Sequence, residues 1–222
     1  AMFRWGGRSP GIVGGAWIDY FDYARLEQVL VLGTPGGEAS VSVRGAMRNY
    51  TRMFGKRTIQ ATLLRDGKVV ASQPEIDVPW PNTSFGRMPF DFDFHMSVTA
   101  PDEWSPDSPN LYQMQLDLVQ DGRLLHRWRE NFGFRTFQAV HDQAAMPAGF
   151  YLNARRIFLR GICTWGQNVG WPAAKTTDPK VIQRFMVDLQ RAANLNCIRN
   201  HTVPLDGAWL DVADRAGYMV LQ

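Results

Sequence analysis

From residue 24 to residue 138 apolar side chains recur at every second position, and beyond Gln138 they do not. That change of period constrains the fold more than any other feature of the chain. Alternation with period two sends successive side chains to opposite faces, so it marks strands with one buried face. The clearest run is Phe90–Val98. Phe90, Phe92, Phe94, Met96 and Val98 share one face; Asp91, Asp93, His95 and Ser97 share the other. Val41, Val43 and Met47 align in a run from Ala39, Ile59, Ala61 and Leu63 in the next, and Tyr112, Met114, Leu116 and Leu118 in a later one. Asp66-Gly67 and Asp121-Gly122 are hairpin signals, because a two-residue turn that follows strand twist needs positive φ at both positions. They lead into Lys68–Ser72 and Leu124–Phe132. About seven short strands with Gly, Pro and Asp turns predict an immunoglobulin-like antiparallel β-sandwich over residues 23–138.

After Gln138 the pattern is of another kind. Phe150–Leu152 and Arg156–Leu159 flank a turn at Asn153-Ala154. Arg160–Trp165 reads as a buried strand running into a Gly/Trp/Pro loop, residues 166–177. Asp178 before Pro179 is an N-cap followed by proline at the first helical position. Val181, Ile182, Phe185, Met186, Leu189, Ala192 and Ala193 then recur at helical spacing. Asn196–Asn200 is a short strand, Asp206–Ala216 a helix stopped by Gly217, and Tyr218–Leu221 a third strand. Strand, helix, strand, helix, strand with short links indicates βαβ units and a parallel sheet. At the other end, residues 1–22 hold a short strand at Gly15–Tyr20 among glycines and are too few for a core of their own.

Composition removes several function classes. Hydrophobic residues are 45% and charged residues 20% of the 222, as in globular proteins rather than disordered ones. A net charge of +3 with no Lys/Arg run gives no electrostatic footprint for nucleic acid. No apolar run approaches the ~20 residues of a membrane span. Cys163 and Cys197 read as free buried thiols, and the four histidines have no metal-ligand spacing. Asp91-x-Asp93 reads as a solvated strand face rather than a calcium site, and Gly11–Gly15 lacks the spacing of a phosphate loop. No cofactor or metal is expected. The acids are unevenly spread: residues 139–222 carry six Asp and no Glu.

Several stretches resemble, in order, those of glycoside hydrolase family 2, which includes β-galactosidases, β-glucuronidases and β-mannosidases. Pro10–Asp19 resembles the last strand of that family's sugar-binding jelly roll. Ala100–Tyr112, with Trp104 between Pro101, Pro106 and Pro109, resembles its P-x-x-W-s-p-e-x-P-x-L-Y signature, and Asn131–Thr136 its f-G-f-R. Phe150–Asn153 with Phe158–Gly161 resembles the start of its barrel; Asn194–Arg199 and Asp211–Gly217 resemble the second barrel strand and the following helix. The resemblance implies a jelly-roll tail at 1–22, the sandwich at 23–138, and at 139–222 the first three strands and two helices of a TIM (β/α)8 barrel. Ala154 stands where the family usually has glycine. Arg199 and His201 are two residues apart where β-galactosidases often have three, which weakens any transfer of their specificity.

Barrel active sites lie at the C-terminal ends of the parallel strands. Those ends fall near Cys163-Thr164-Trp165, Arg199-Asn200-His201 and Leu221-Gln222. Arg199 is the foremost substrate-binding candidate, because a guanidinium offers several fixed donors to sugar hydroxyls or to a catalytic carboxylate. The competing reading is an ion pair that holds the barrel together. His201 and Asn200 are adjacent candidates. Trp165, and less so Trp171, either stack on a sugar ring or pack beneath the loop. Arg135 reads as a hydrogen-bond donor at a domain boundary, and Trp104 with its prolines as structural. Retaining hydrolysis needs two carboxylates. The resemblance implies two Glu, at the ends of the fourth and seventh barrel strands, and the chain reaches the third. The expectation is therefore part of a retaining glycoside hydrolase with a carbohydrate substrate, inactive by itself, with residues 139–222 marginally stable in isolation. The alternative is a non-catalytic β-sandwich module for carbohydrate binding or protein interaction, which residues 24–138 alone would fit.

Overall fold

The computed structural model describes residues 18, 23–48, 55–79, 87–141, 147–164, 178–201, 205 and 207–221. The strand expected at Gly15–Tyr20 lies outside them apart from Ile18, as do Trp165, Trp171 and the loop 166–177. Two compact units are present. One comprises Asp19–Glu103 and Asn110–Thr136, the other Trp104–Pro109 and Phe137–Gln222.

The first unit holds β1 (Ala24–Gly33), β2 (Glu38–Arg48), β3 (Arg57–Arg65), β4 (Lys68–Asp77), β5 (Arg87–Ser97), β6 (Tyr112–Gln120) and β7 (Arg123–Phe132). They form two antiparallel sheets, β1-β2-β5 and β4-β3-β6-β7. The inner faces share one core, with Val41, Val43, Phe94 and Met96 from the first sheet and Ile59, Leu63, Leu116 and Leu118 from the second. Each such side chain contributes about 1.5–3 kcal/mol on burial, so the alternation and the sandwich are one fact. β5 shows it directly: Phe90, Phe94 and Met96 are buried, while Asp91, Asp93 and His95 are exposed. Asp66-Gly67 (φ +49° and +75°) and Asp121-Gly122 (φ +50° and +78°) make the two expected tight turns. β1 carries a bulge at Glu27, where the register steps from Leu26↔Gly45 to Gln28↔Arg44. The Leu26 N–H there donates to His126 Nδ1 at 3.2 Å, a partner from outside its ladder.

In the second unit β8 (Phe137–Val140), β9 (Gly149–Leu152) and β10 (Arg155–Ile157) form an antiparallel sheet in the order β10-β9-β8. β11 (Gly161–Thr164), β12 (Cys197–Asn200) and β13 (Met219–Leu221) form a parallel sheet in that order. The helix before β12 starts as expected, with the Asp178 carboxylate accepting from the Lys180 N–H at 2.9 Å. It then departs from a regular helix: α1 (Pro179–Ile182) passes into a π-helical stretch, Gln183–Asp188, and continues as α2 (Leu189–Ala192). Ile182 and Val187, five residues apart, are both fully buried, and a wider turn is what puts that spacing on one face. Met186 and Val187 pack with Ile198 of β12 and with Trp209, Val212 and Ala213 of α3 (Gly207–Ala216).

Segment Trp104–Pro109 is built into this second unit. Trp104 is buried; its Nε1 donates to Asp214 O at 2.8 Å and its carbonyl accepts from Asn153 Nδ2 at 3.0 Å. Arg191 Nη2 is shared among the carbonyls of Ala216, Gly217 and Pro106 at 2.5, 3.3 and 3.5 Å. These donors satisfy carbonyls that the end of a helix leaves open. Gly217 sits at φ +67°, and a Cβ there would lie 2.5 Å from Pro106 O, so only glycine fits. Tyr218 OH lies 2.8 Å from Gln190 Oε1 and 3.2 Å from Cys197 O, and burial pushes its pKa up to about 12.

Two expectations follow. Asn153 and Ala154 in the β9–β10 turn have φ +50° and +60°, a region that costs a residue with a Cβ. Ala154→Gly therefore raises stability to chemical denaturation by about 0.5–1 kcal/mol; unchanged or lower stability contradicts the turn. Tyr218 ionises less readily when folded than in an unfolded chain, where the ordinary value is 10.0. Its contribution is complete below that value and is lost as pH rises through about 12. The unfolding midpoint should fall across that interval, and Tyr218→Phe should flatten the fall; an identical pH profile in the variant contradicts it.

Candidate functional site

The parallel sheet fixes which side chains meet. Its register pairs Ile162 with Ile198 and Val220, and Cys163 with Arg199 and Leu221. Residues in register share a face, and Ile198 and Val220 pack into the core against the helices. Cys163 and Arg199 therefore leave on the opposite face. Arg199 is exposed, and its Nη1 donates to Cys163 Sγ at 3.2 Å and to His201 Nδ1 at 3.1 Å. His201 lies one residue beyond β12, where its backbone N–H donates to Thr164 O at 2.7 Å and extends the pairing. Since a guanidinium nitrogen only donates, His201 Nδ1 is the acceptor in this contact.

The structure thus brings Arg199 and His201 together and adds Cys163. Cys163 was expected to be buried; it is free and exposed, because it sits on an edge strand on the face away from the helices. Cys197 is the buried thiol, and burial pushes its pKa up, with Arg160 acting the other way. Only the register of two parallel strands, Gly161–Thr164 beside Cys197–Asn200, reveals Cys163 as a neighbour of Arg199. Asn200 is 3% exposed and accepts from Thr164 Oγ1 at 3.4 Å, so it does not share the face of Arg199. Trp165 is outside the described residues. Arg135 is exposed, and its backbone N–H donates to Gly33 O at 3.0 Å.

Electrostatically the cluster is cationic. Among the described residues Arg199 meets no carboxylate; its contacts are a thiol sulfur and a ring nitrogen. Nε and Nη2 remain to donate, a pattern suited to a carboxylate or to paired hydroxyls. Among the described residues no group of three His, Cys, Asp or Glu is placed to hold a metal, and no helix is long and apolar enough to cross a membrane. A separate groove of about 730 Å³ in the same unit is lined by Pro106, Asp107, Gln183, Arg191, Asp211 and Arg215 among others. It shares no residue with the Arg199 cluster, and its Asp211–Arg215 pair, at 3.4 Å, is well exposed.

Known proteins were compared with this chain. The model for glycosyl hydrolases family 2 matches residues 31–135. The chain is 26% identical over 182 residues to the β-galactosidase large subunit of Leuconostoc lactis, covering 80% of this chain and 26% of that protein. It is 26% identical over 129 residues to a β-galactosidase of Kluyveromyces lactis, covering 58% of this chain and 12% of the relative. A solved structure of β-glucuronidase 3 from Bacteroides uniformis superposes with a TM-score of 0.63 at 25% identity, covering 89% of this chain and 22% of that one. The chain spans about a tenth to a quarter of the length of the curated relatives it matches. The matched residues and the relatives point the same way: over residues 31–135 the chain is similar to glycosyl hydrolases family 2.

Proposed function

We propose that the chain is part of a retaining glycoside hydrolase acting on a β-glycoside. Residues 23–138 are its immunoglobulin-like sandwich, residues 139–222 the start of its (β/α)8 barrel, and residues 1–22 the tail of a jelly roll. The observation that carries this reading is Arg199: an exposed guanidinium at the end of the central parallel strand, without a carboxylate among the described residues. Strand ends of parallel α/β sheets are where ligands bind. There the unused N–H groups of Arg199 address hydroxyl or carboxylate oxygens of the bound sugar. His201, one residue beyond β12, contributes beside it, and buried Asn200 accepts from Thr164 Oγ1; Trp165, outside the described residues, is retained as a stacking candidate on its residue type alone. Relatives named β-galactosidase and β-glucuronidase support a β-linked substrate.

Hydrolysis with retention proceeds through a covalent glycosyl-enzyme. A nucleophilic carboxylate attacks the anomeric carbon while an acid protonates the leaving oxygen; the same residue then activates water as a base. Residues 139–222 contain no Glu, and no carboxylate stands beside Arg199 among the described residues. The chain thus offers substrate contacts without the catalytic pair. Ile162, Phe185, Leu189 and Leu221, each 37–43% exposed, are apolar surface that further polypeptide would cover.

Purified as it stands, the chain should release no 4-nitrophenol from 4-nitrophenyl β-D-galactoside or β-D-glucuronide. The whole enzyme should hydrolyse at least one of them and lose on the order of 100-fold in kcat/KM on Arg199→Ala. Turnover by the chain alone, or a whole enzyme indifferent to Arg199→Ala, overturns the proposal.

A further inference from the structure

We infer that Cys163 is a positioning residue for Arg199, one that fixes the direction in which the guanidinium presents the donors, Nε and Nη2, that meet no partner among the described residues. The inference rests on the reading of Arg199 as the sugar-facing group. Nη1 carries two N–H bonds, and both are engaged: one by Cys163 Sγ at 3.2 Å, the other by His201 Nδ1 at 3.1 Å. Two acceptors on one nitrogen restrain the guanidinium plane and leave Nε and Nη2 without a hydrogen bond among the described residues. A long side chain held in this way loses less conformational freedom when a ligand binds.

Position and chemistry both single out Cys163. The parallel register sets it directly opposite Arg199 on the adjacent strand, so the contact is built into the pairing of β11 with β12. Its sulfur is a weak acceptor. An aspartate there would hold the guanidinium more tightly but would neutralise the charge that an anionic or hydroxyl ligand needs. A thiol orients the group and leaves its charge available. Cys197, the other thiol, is buried two residues before Arg199 and makes no hydrogen bond to it.

The test is the guanidinium spectrum of the 222-residue chain labelled with 15N-arginine, with the Arg199 signals assigned by their loss in Arg199→Lys. Restricted rotation in the native chain should give resolved Nη signals. Cys163→Ala should collapse them to an average, and Cys163→Ser, whose hydroxyl can accept in the same place, should keep them resolved. Amide spectra confirm that both variants stay folded, as an exposed site leads one to expect. Averaged Nη signals in the native chain, or unchanged ones in Cys163→Ala, overturn the inference. Methyl β-D-galactoside and methyl β-D-glucuronide are then titrated into each protein. A shift of the Arg199 signals that needs at least threefold more glycoside in Cys163→Ala supports both the positioning role and the sugar reading. If Cys163→Ala frees the guanidinium and neither glycoside shifts it in any variant, the positioning role stands and the sugar reading falls.

Discussion

One buried face per strand is the constraint from which the first unit follows. Val41 and Val43 on β2 and Phe94 and Met96 on β5 meet Ile59 and Leu63 on β3 and Leu116 and Leu118 on β6, and nearly every other residue on these strands faces out. A one-residue slip in any pairing would reverse that arrangement, so the same side chains that drive collapse also set the register. Turns and bulges adjust to it. The bulge at Glu27 shifts the ladder of β1, and His126 accepts the Leu26 N–H.

In the second unit backbone polar groups set the terms. Parallel strands need crossover helices, and helix ends leave carbonyls that must find donors. Arg191 and Trp104 supply them at the end of α3, and Gly217 lets Pro106 approach. The proline-rich stretch that sequence pattern marks as a stiff crossover thus has a defined task, closing the C-terminal turn of a helix distant from it in sequence.

Local pattern reveals what local physics decides. The alternation, both Asp-Gly turns, the Asp178 cap and the strand–helix order after residue 178 all depend on neighbours within a few residues, and all are present. Features set by pairing between distant segments were not legible in this way. The π-helical stretch answers to packing of Ile182 and Val187 against β12 and α3, not to helical propensity. Cys163 is exposed because of its place at the sheet edge, and Asn200 is buried because the strand turns it towards the helices. Arg199 and His201 were legible as candidates because they end an apolar strand; the Cys163 sulfur beside Arg199 required the register.

The two units differ in how completely they cover themselves. β2, β3 and β6 are each flanked by strands on both sides, whereas in the parallel sheet only β12 is among the described residues, and Ile162 and Leu221 on the outer strands are exposed. The sandwich is thus the better-covered scaffold, and the α/β unit, which holds the proposed sugar-facing Arg199, the less covered one. Native-state amide exchange of the 222-residue chain tests this most directly. Slow exchange through a single global opening in β2, β3 and β6, with lower opening free energies in β11, β12 and β13, is the predicted result. Equal protection of both sets of strands would contradict it.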